Sequence, residues 1–470
     1  MAKKSEKSEG KALAEKLLTQ RKNGILRVTE ETVTDCDSYC EDYKKFLTDC
    51  KTEREAAAFA ERAAKKAGYK PYKDGMKLKA GDKVYKVNRG KAILLAYIGK
   101  KGVKEGIRLA AAHIDSPRLD LKQHPLYESE ETAYFKTHYY GGIKKYQWGT
   151  IPLALHGVVV KADGSSVCVN VGEKADEPVF CVTDLLPHLA QEQMKRTPGE
   201  LIKGEELNIL IGSRPFRDDE ASDRVKLNIM RILNEKYGIC EDDFVSAELE
   251  AVPAGGARDI GFDRSMIGSY GHDDRVCAYT ALTAQLSISE TPEVTAVTVL
   301  TDKEETGSDG NTGLRSSYLR YFIEDIAESL GEKGRDVLSR SKCLSADVNA
   351  ALDPTFPDVT EKRNCAYINY GVVVTKFTGA RGKSGTSDAS AEFAGEIRRL
   401  MDKNDVIWQT GELGRVDLGG GGTVAAYIAN MDVDTIDVGV PVLCMHAPFE
   451  VVSKLDVYMA YKAFAAFFAE

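Results

Sequence analysis

The stretch GIRLAAAHID, residues 106–115, is apolar for most of its length and stops abruptly on His113 and Asp115. Such a run fits a strand buried on both faces of a parallel sheet, a strand that delivers its last side chains to a site. The signature returns downstream: TAVTVLTDKEE (295–305), KCLSADVNA (342–350) and DTIDVGVPVLCMHA (434–447) are apolar, β-branched runs ending in acidic or histidine residues. Helix-like stretches at 311–330 and 454–468 lie between and after them, so these parts read as α/β with a mostly parallel sheet. Open α/β sheets bind ligands beyond the carboxyl ends of their strands, where these polar residues gather.

Upstream, residues 35–68 have the composition of one or two amphipathic helices closed by Gly68, and KVYKV and AILLAYIG follow as β-rich runs. The pattern changes after Gln123. Short β-like pieces (TAYFKTHYYGG, LALHGVVVKA, SVCVNV, PVFCVT) alternate with turns, and charge-rich helix-like segments lie around 192–196 and 224–237. A chain of 470 residues exceeds what one hydrophobic core organises. We therefore expect a catalytic α/β domain built from residues 1–122 and 253–470, interrupted by an inserted β-rich domain over 123–252.

Composition narrows the function. With 43% hydrophobic and 29% charged residues the chain is ordinary globular material. Its 64 Lys+Arg against 72 Asp+Glu give a net charge of -8, which disfavours a nucleic-acid partner. No apolar stretch is long enough to span a membrane, and the start, MAKKSEKSEGKALAEKLL, lacks the apolar run of a secretory signal. Ten thinly spread cysteines are not a disulfide framework; they are expected to be reduced and mostly buried, with Cys36 and Cys40 at helix rather than metal-knuckle spacing. A cytoplasmic protein is expected.

Only seven histidines occur, so an imidazole-based site draws on a short list. Five polar clusters stand out: His113-Ile-Asp115, His272-Asp273-Asp274-Arg275, Asp302-Lys-Glu304-Glu305, Ser345-Ala-Asp347 and Met445-His446. Imidazole and carboxylate suit divalent zinc, manganese or cobalt, and the absence of cysteine fits an open hydrolytic site better than a closed structural one. A pair of cations needs a bridging carboxylate and further acids to offset their charge. Adjacent acids at 304 and 305 are costly in a buried site unless their roles differ, one ligating and the other moving a proton. In extended chain, residues two apart point the same way, so Asp115 can orient His113. His272, adjacent to Asp273, faces the opposite way and reads as structural.

In order, AAHIDSPRLDLK, GHDDR, TDKEETGS, SADVNAALDP and VPVLCMHAPFE resemble the five metal-site motifs of the aspartyl aminopeptidase/aminopeptidase I family of dinuclear zinc peptidases. YGG (140–142), DLLPHLA (184–190) and KGEELNILIGSRP (203–215) resemble that family's inserted domain, so the likeness covers nearly the whole chain. It implies two divalent ions per chain, zinc with manganese or cobalt as alternatives. His113 and Asp347 would hold one, Glu305 and His446 the other, with Asp273 bridging and the peptide after Asp273 cis. Glu304 would be the general base and Asp115 the orienting group. The resemblance further implies peptide substrates cut at the amino terminus and a homo-oligomer, a tetrahedral dodecamer, in which the inserted domain acts as lid and packing surface. One of His124, His138, His156 and His188 would then be placed to reach a neighbouring subunit's site.

Two departures bear on substrate. The family pattern Asp-x-x-His-Ala is here Asp347-Val-Asn349-Ala350, and the stretch after YGG reads IKKYQWGTIP. These favour a neutral, leucine-like first residue over Asp or Glu. LGGGGTVAAY (418–427) lacks a nucleotide-loop pattern and reads as backbone approaching substrate, whereas RGKSGTSDA (381–389) leads into a helix as a cap or a substrate contact. Rival readings are an amidohydrolase or deacylase of N-acyl amino acids and a catalytically silent assembly protein.

Overall fold

The computed structural model describes residues 8–470; the first seven residues of the basic amino-terminal stretch lie outside them. Strand Ile107–His113 occupies the middle of a nine-stranded sheet. It pairs in parallel with Thr295–Thr301 on one side and Lys342–Ser345 on the other, and Asp434–Gly439 extends this parallel block. Alternation explains its double burial: Ile107, Leu109 and Ala111 enter one core while Ala110, Ala112 and Ile114 enter the other. Ala92–Tyr97 and Val372–Thr375 flank the block in antiparallel sense, so the sheet as a whole is mixed.

Helices cover both faces. Glu30–Asp49, Glu53–Lys66, His272–Leu286, Ala391–Lys403 and Lys454–Ala469 share one core, and Tyr318–Ser329, Gly334–Leu338 and Ala425–Ala429 the other. Glu53–Lys66 opens on a capping box, the Thr52 hydroxyl accepting from the Glu55 N–H and the Glu55 carboxylate from the Thr52 N–H. Just past its end Gly68 sits at φ +86°, a conformation glycine adopts without strain. His272–Leu286 lacks a polar stripe because it is buried between the sheet and Lys454–Ala469.

The run 434–447 is not one strand. Its first part leaves the nine-stranded sheet at Gly439, and Pro441–Leu443 joins a five-stranded sheet with Asn349–Ala350, Glu450–Ser453, Met266–Ser269 and Arg258–Ile260. A side chain at 439 would collide with the Asp347 carbonyl, so glycine lets the chain cross beside that residue. A third sheet has seven strands, all paired antiparallel, drawn from Arg118–Ser129 through Ala247–Pro253. Its core gathers Leu119, Phe135, Trp148, Leu155 and Phe244.

All ten cysteines are unpaired, but Cys168, Cys240 and Cys444 are exposed rather than buried. Cys168 lies on the outward face of an edge strand, Ser166–Val171, where alternation sends it to solvent. No helix among the described residues is long and apolar enough to cross a membrane.

Candidate active site

Register builds the site. Thr301 lies opposite His113, so the 3-10 turn Glu304–Thr306 begins just beyond the histidine. Ser345 lies opposite Ala111, which carries Asp347 to the same level. The polypeptide enters helix His272–Leu286 through a cis peptide between Asp273 and Asp274, both with non-helical dihedrals. His446 sits at φ +64° between Pro441–Leu443 and Glu450–Ser453. His113, Asp115, Asp273, Glu304, Glu305, Asp347 and His446 thus converge, although His446 arrives from the five-stranded sheet.

Asp273 is the centre. One carboxylate oxygen lies 3.0 Å from His113 Nε2 and the other 3.2 Å from His446 Nε2. Glu304 and Asp347 each bring an oxygen to 3.9 Å from His113 Nε2, and Glu305 brings one to 3.6 Å from His446 Nε2. Both imidazoles are oriented from behind. His113 Nδ1 lies 3.1 Å from the Asp115 carbonyl and 3.3 Å from its carboxylate, while His446 Nδ1 donates to the Gly142 carbonyl at 2.7 Å. With each Nδ1 engaged behind the ring, Nε2 is the atom that each imidazole turns toward Asp273.

The charges do not balance. Among the described residues no lysine or arginine lies within 4.0 Å of Asp273, Glu304, Glu305 or Asp347. Burial pushes the Glu304 carboxyl up to about 7, and burial with neighbouring acids holds Glu305 and Asp347 well above the usual range. Burial would raise Asp273 too, but hydrogen bonds with His113 and His446 hold it low. Burial opposes charging of His446, yet Asp273 and Glu305 lift it to about 10. Two buried oxygens, Glu305 Oε1 and Asp274 Oδ1, have no hydrogen-bond partner. Oxygen and imidazole donors, orphaned acceptors and excess negative charge fit divalent cations. Two triads have ligand atoms within 4.8 Å of one another, His113 with Asp273 and Glu305, and His113 with Asp274 and Asp347. Asp273 faces both imidazoles, whereas Asp274 lies on the His113–Asp347 side, where one of its oxygens accepts from the His113 backbone N–H at 3.4 Å.

A sequence model of the family described as Aminopeptidase I zinc metalloprotease (M18) matches residues 46–468. The "Probable M18 family aminopeptidase 1" of Clostridium acetobutylicum is 50% identical, over 96% of this chain and 98% of that protein. The chain belongs to the M18 aminopeptidase family. The solved M18 aminopeptidase of Thermotoga maritima superposes with a TM-score of 0.91 at 44% identity, covering 96% of this chain and 99% of that one. Aminopeptidase I of Clostridium acetobutylicum gives 0.90 at 50% identity over 97% and 100%. At 20% identity the likeness to a structure described as the S. cerevisiae mApe1 dodecamer, TM-score 0.74 over 91% and 95% of the two chains, is one of fold. As an M18 protein the chain is a zinc metalloaminopeptidase.

Three supports of this M18 site escape a reading of sequence alone. The Tyr140 hydroxyl donates to Asp115 Oδ2 at 2.7 Å, and the Glu304 and Glu305 N–H groups donate to the two oxygens of Asp115, each at 3.2 Å. Asp115 therefore fixes the 304–306 turn as well as His113. Glu450 accepts from the backbone N–H of Asp273 at 3.0 Å and of His446 at 2.6 Å, tying centre to ligand. The Gly142 carbonyl is the third. YGG at 140–142 was the available signal, but side-chain chemistry does not reveal a carbonyl's role.

The remaining histidines lie elsewhere. His272 is buried, with Nδ1 2.7 Å from the Tyr43 hydroxyl. His156 is buried between Glu55 and Glu173, so it does not reach outward; His124, His138 and His188 are exposed.

Proposed function

We propose that this chain removes the first residue of peptides with two divalent cations held at its strand ends. His113 and Asp347 would hold one, Glu305 and His446 the other, with Asp273 between. The observation that carries the reading is that carboxylate, one oxygen toward each imidazole, amid buried acids without a lysine or arginine partner. Zinc is the family's metal, and manganese or cobalt accepts the same donors. When bound, such ions acidify a water and draw charge from the scissile carbonyl. Glu304 would take a proton from the attacking water and return it to the departing amine. It is suited to both steps because its carboxylate faces the centre from the His113 side and Asp115 holds its backbone.

A cavity of about 850 Å³ adjoins His446 and is lined by Ile143, Phe356, Val359, Leu413, Leu418 and Met445. Lys144 and Asp353 also line it with opposite charges, and the apolar remainder of the wall supports a neutral first side chain. Residues 123–252 act as an inserted lid and assembly domain, its first strand entering at Arg118, and Leu185, Leu186, Leu189 and Met194 expose apolar surface there. That surface supports association with copies of this chain; the tetrahedral dodecamer and the cytoplasm are proposed on the family resemblance.

Elemental analysis of protein purified without chelator should give about two divalent ions per chain. An aminoacyl-anilide panel run with zinc, manganese and cobalt should rank leucine above aspartate. Metal-free active enzyme would sink the mechanism, and the reverse ranking would sink the substrate preference.

A further inference from the structure

Away from the strand ends, a cavity of about 920 Å³ opens between residues 19–27, the 362–370 segment and the edge strand Trp408–Thr410. Six cationic residues line it, Arg21, Lys22, Arg27, Lys362, Arg363 and Arg398, against one acid, Asp402. Elsewhere on this surface lysines and arginines pair with carboxylates, as in Lys122–Glu205 and Arg231–Glu235. Here only Arg398 has such a partner, Asp402 at 3.9 Å, and among the described residues the other five have none within 4.0 Å. On a chain of net charge -8, an unpaired cluster of this kind is a strong local reversal of sign.

The walls are fixed by their own bonds. The Arg21 guanidinium donates to the Lys362 and Arg363 carbonyls and lies 5.3 Å from the Tyr367 ring centroid. The Gly24 N–H donates to the Asn369 carbonyl at 2.6 Å, and the Gln409 amide donates to the Tyr367 and Gly371 carbonyls. Asp402 accepts from the Trp408 indole N–H at 2.8 Å, so the one acid is already engaged.

We propose that this cavity binds a small anion bearing several phosphates. Guanidinium forks match phosphate oxygens two at a time, and the lysines add charge without directional demand. Tyr370 and Trp408 also line the cavity and place aromatic rings within reach of a planar group, should the phosphates belong to a nucleotide. The cavity shares no lining residue with the strand-end acids or with the cavity beside His446.

The chain itself carries the reporter. Trp408 is one of two tryptophans, and Trp148, at the end of the 3-10 turn Lys145–Trp148, is fully buried in the core against the seven-stranded sheet. Metal-loaded full-length protein should be titrated with inorganic triphosphate at low ionic strength, read by tryptophan emission and calorimetry. We expect saturable binding that weakens as salt is added. It should fall at least ~tenfold in Lys362→Glu/Arg363→Glu and, independently, in Arg27→Glu, with circular dichroism and aminoacyl-anilide turnover unchanged. A parallel ATP titration distinguishes the sources: tighter ATP binding assigns a nucleotide, equal binding a free polyphosphate. Absence of saturation by about 1 mM would overturn the proposal. So would equal affinity in wild type and both variants, which would place the phosphate on the catalytic metals instead.

Discussion

His113 and His156 are both buried and both faced by carboxylates on each ring nitrogen, yet they belong to opposite kinds of structure. Around His156 the charges close: Glu55 lies 2.8 Å from Nδ1, Glu173 lies 3.0 Å from Nε2, and Lys51 lies 3.6 Å from Glu173 while donating to the Pro253 and Gly255 carbonyls. Around His113 they do not, since Asp115 takes one nitrogen and Asp273, Glu304 and Asp347 crowd the other. A histidine between acids is thus a structural ion pair when imidazolium and lysine match the carboxylates. It is a place for metal when the acids outnumber every cation the chain supplies.

Substitutions at the two centres should separate these roles. Glu304→Gln should lower kcat by about 10²–10⁴-fold while metal content and Tm stay at wild-type levels, because it removes a proton carrier and no ligand. Turnover at the wild-type rate would exclude Glu304 as the base. His156→Gln should do the reverse, costing about 3–5 kcal/mol in denaturant unfolding as the buried acids lose their partner, with kcat and metal content intact. Loss of metal in that variant would erase the contrast. Tyr140→Phe should weaken metal binding by about tenfold in a competition assay with a chromophoric chelator, since Asp115 would hold His113 and the 304–306 turn less firmly.

The smallest effect concerns pH. Burial opposes charging of His156, but Glu173 and Glu55 outweigh it and raise its folded-state pKa above the ordinary imidazole value. Its stabilising contribution is therefore complete below the unfolded-state pKa and is lost as pH rises through the folded one. The stability gap between wild type and His156→Gln should narrow toward alkaline pH. A gap that widened would mean that His156 is held neutral.

The parallel block was legible because Ile107–His113 is apolar on both faces, and only a doubly covered strand tolerates that. Its polar terminus, repeated after Thr301 and Ser345, marked where side chains would meet. The break at Gly439 was hidden, because Asp434–Leu443 remains β-like while it changes sheets, and only the nearness of Asp347 explains the glycine. Asp273 and Asp274 could be told apart only by direction, which depends on the backbone at their shared peptide. Glu450 and Tyr140 lay beyond sequence reasoning because their roles are contacts with distant backbone and side chains. Sequence offers no choice among His124, His138, His156 and His188, because Glu55, over a hundred positions earlier, is not seen beside His156 until the chain is folded.

The hydrogen bond from His446 to the Gly142 carbonyl makes one half of the site the joint product of two sheets. That carbonyl follows strand Thr132–Tyr140 of the seven-stranded sheet, while the imidazole hangs from the five-stranded one. That half of the site is therefore aimed only while the two sheets stay docked, so a substitution that loosens the contact between them reaches the imidazole without touching any residue of the acidic cluster.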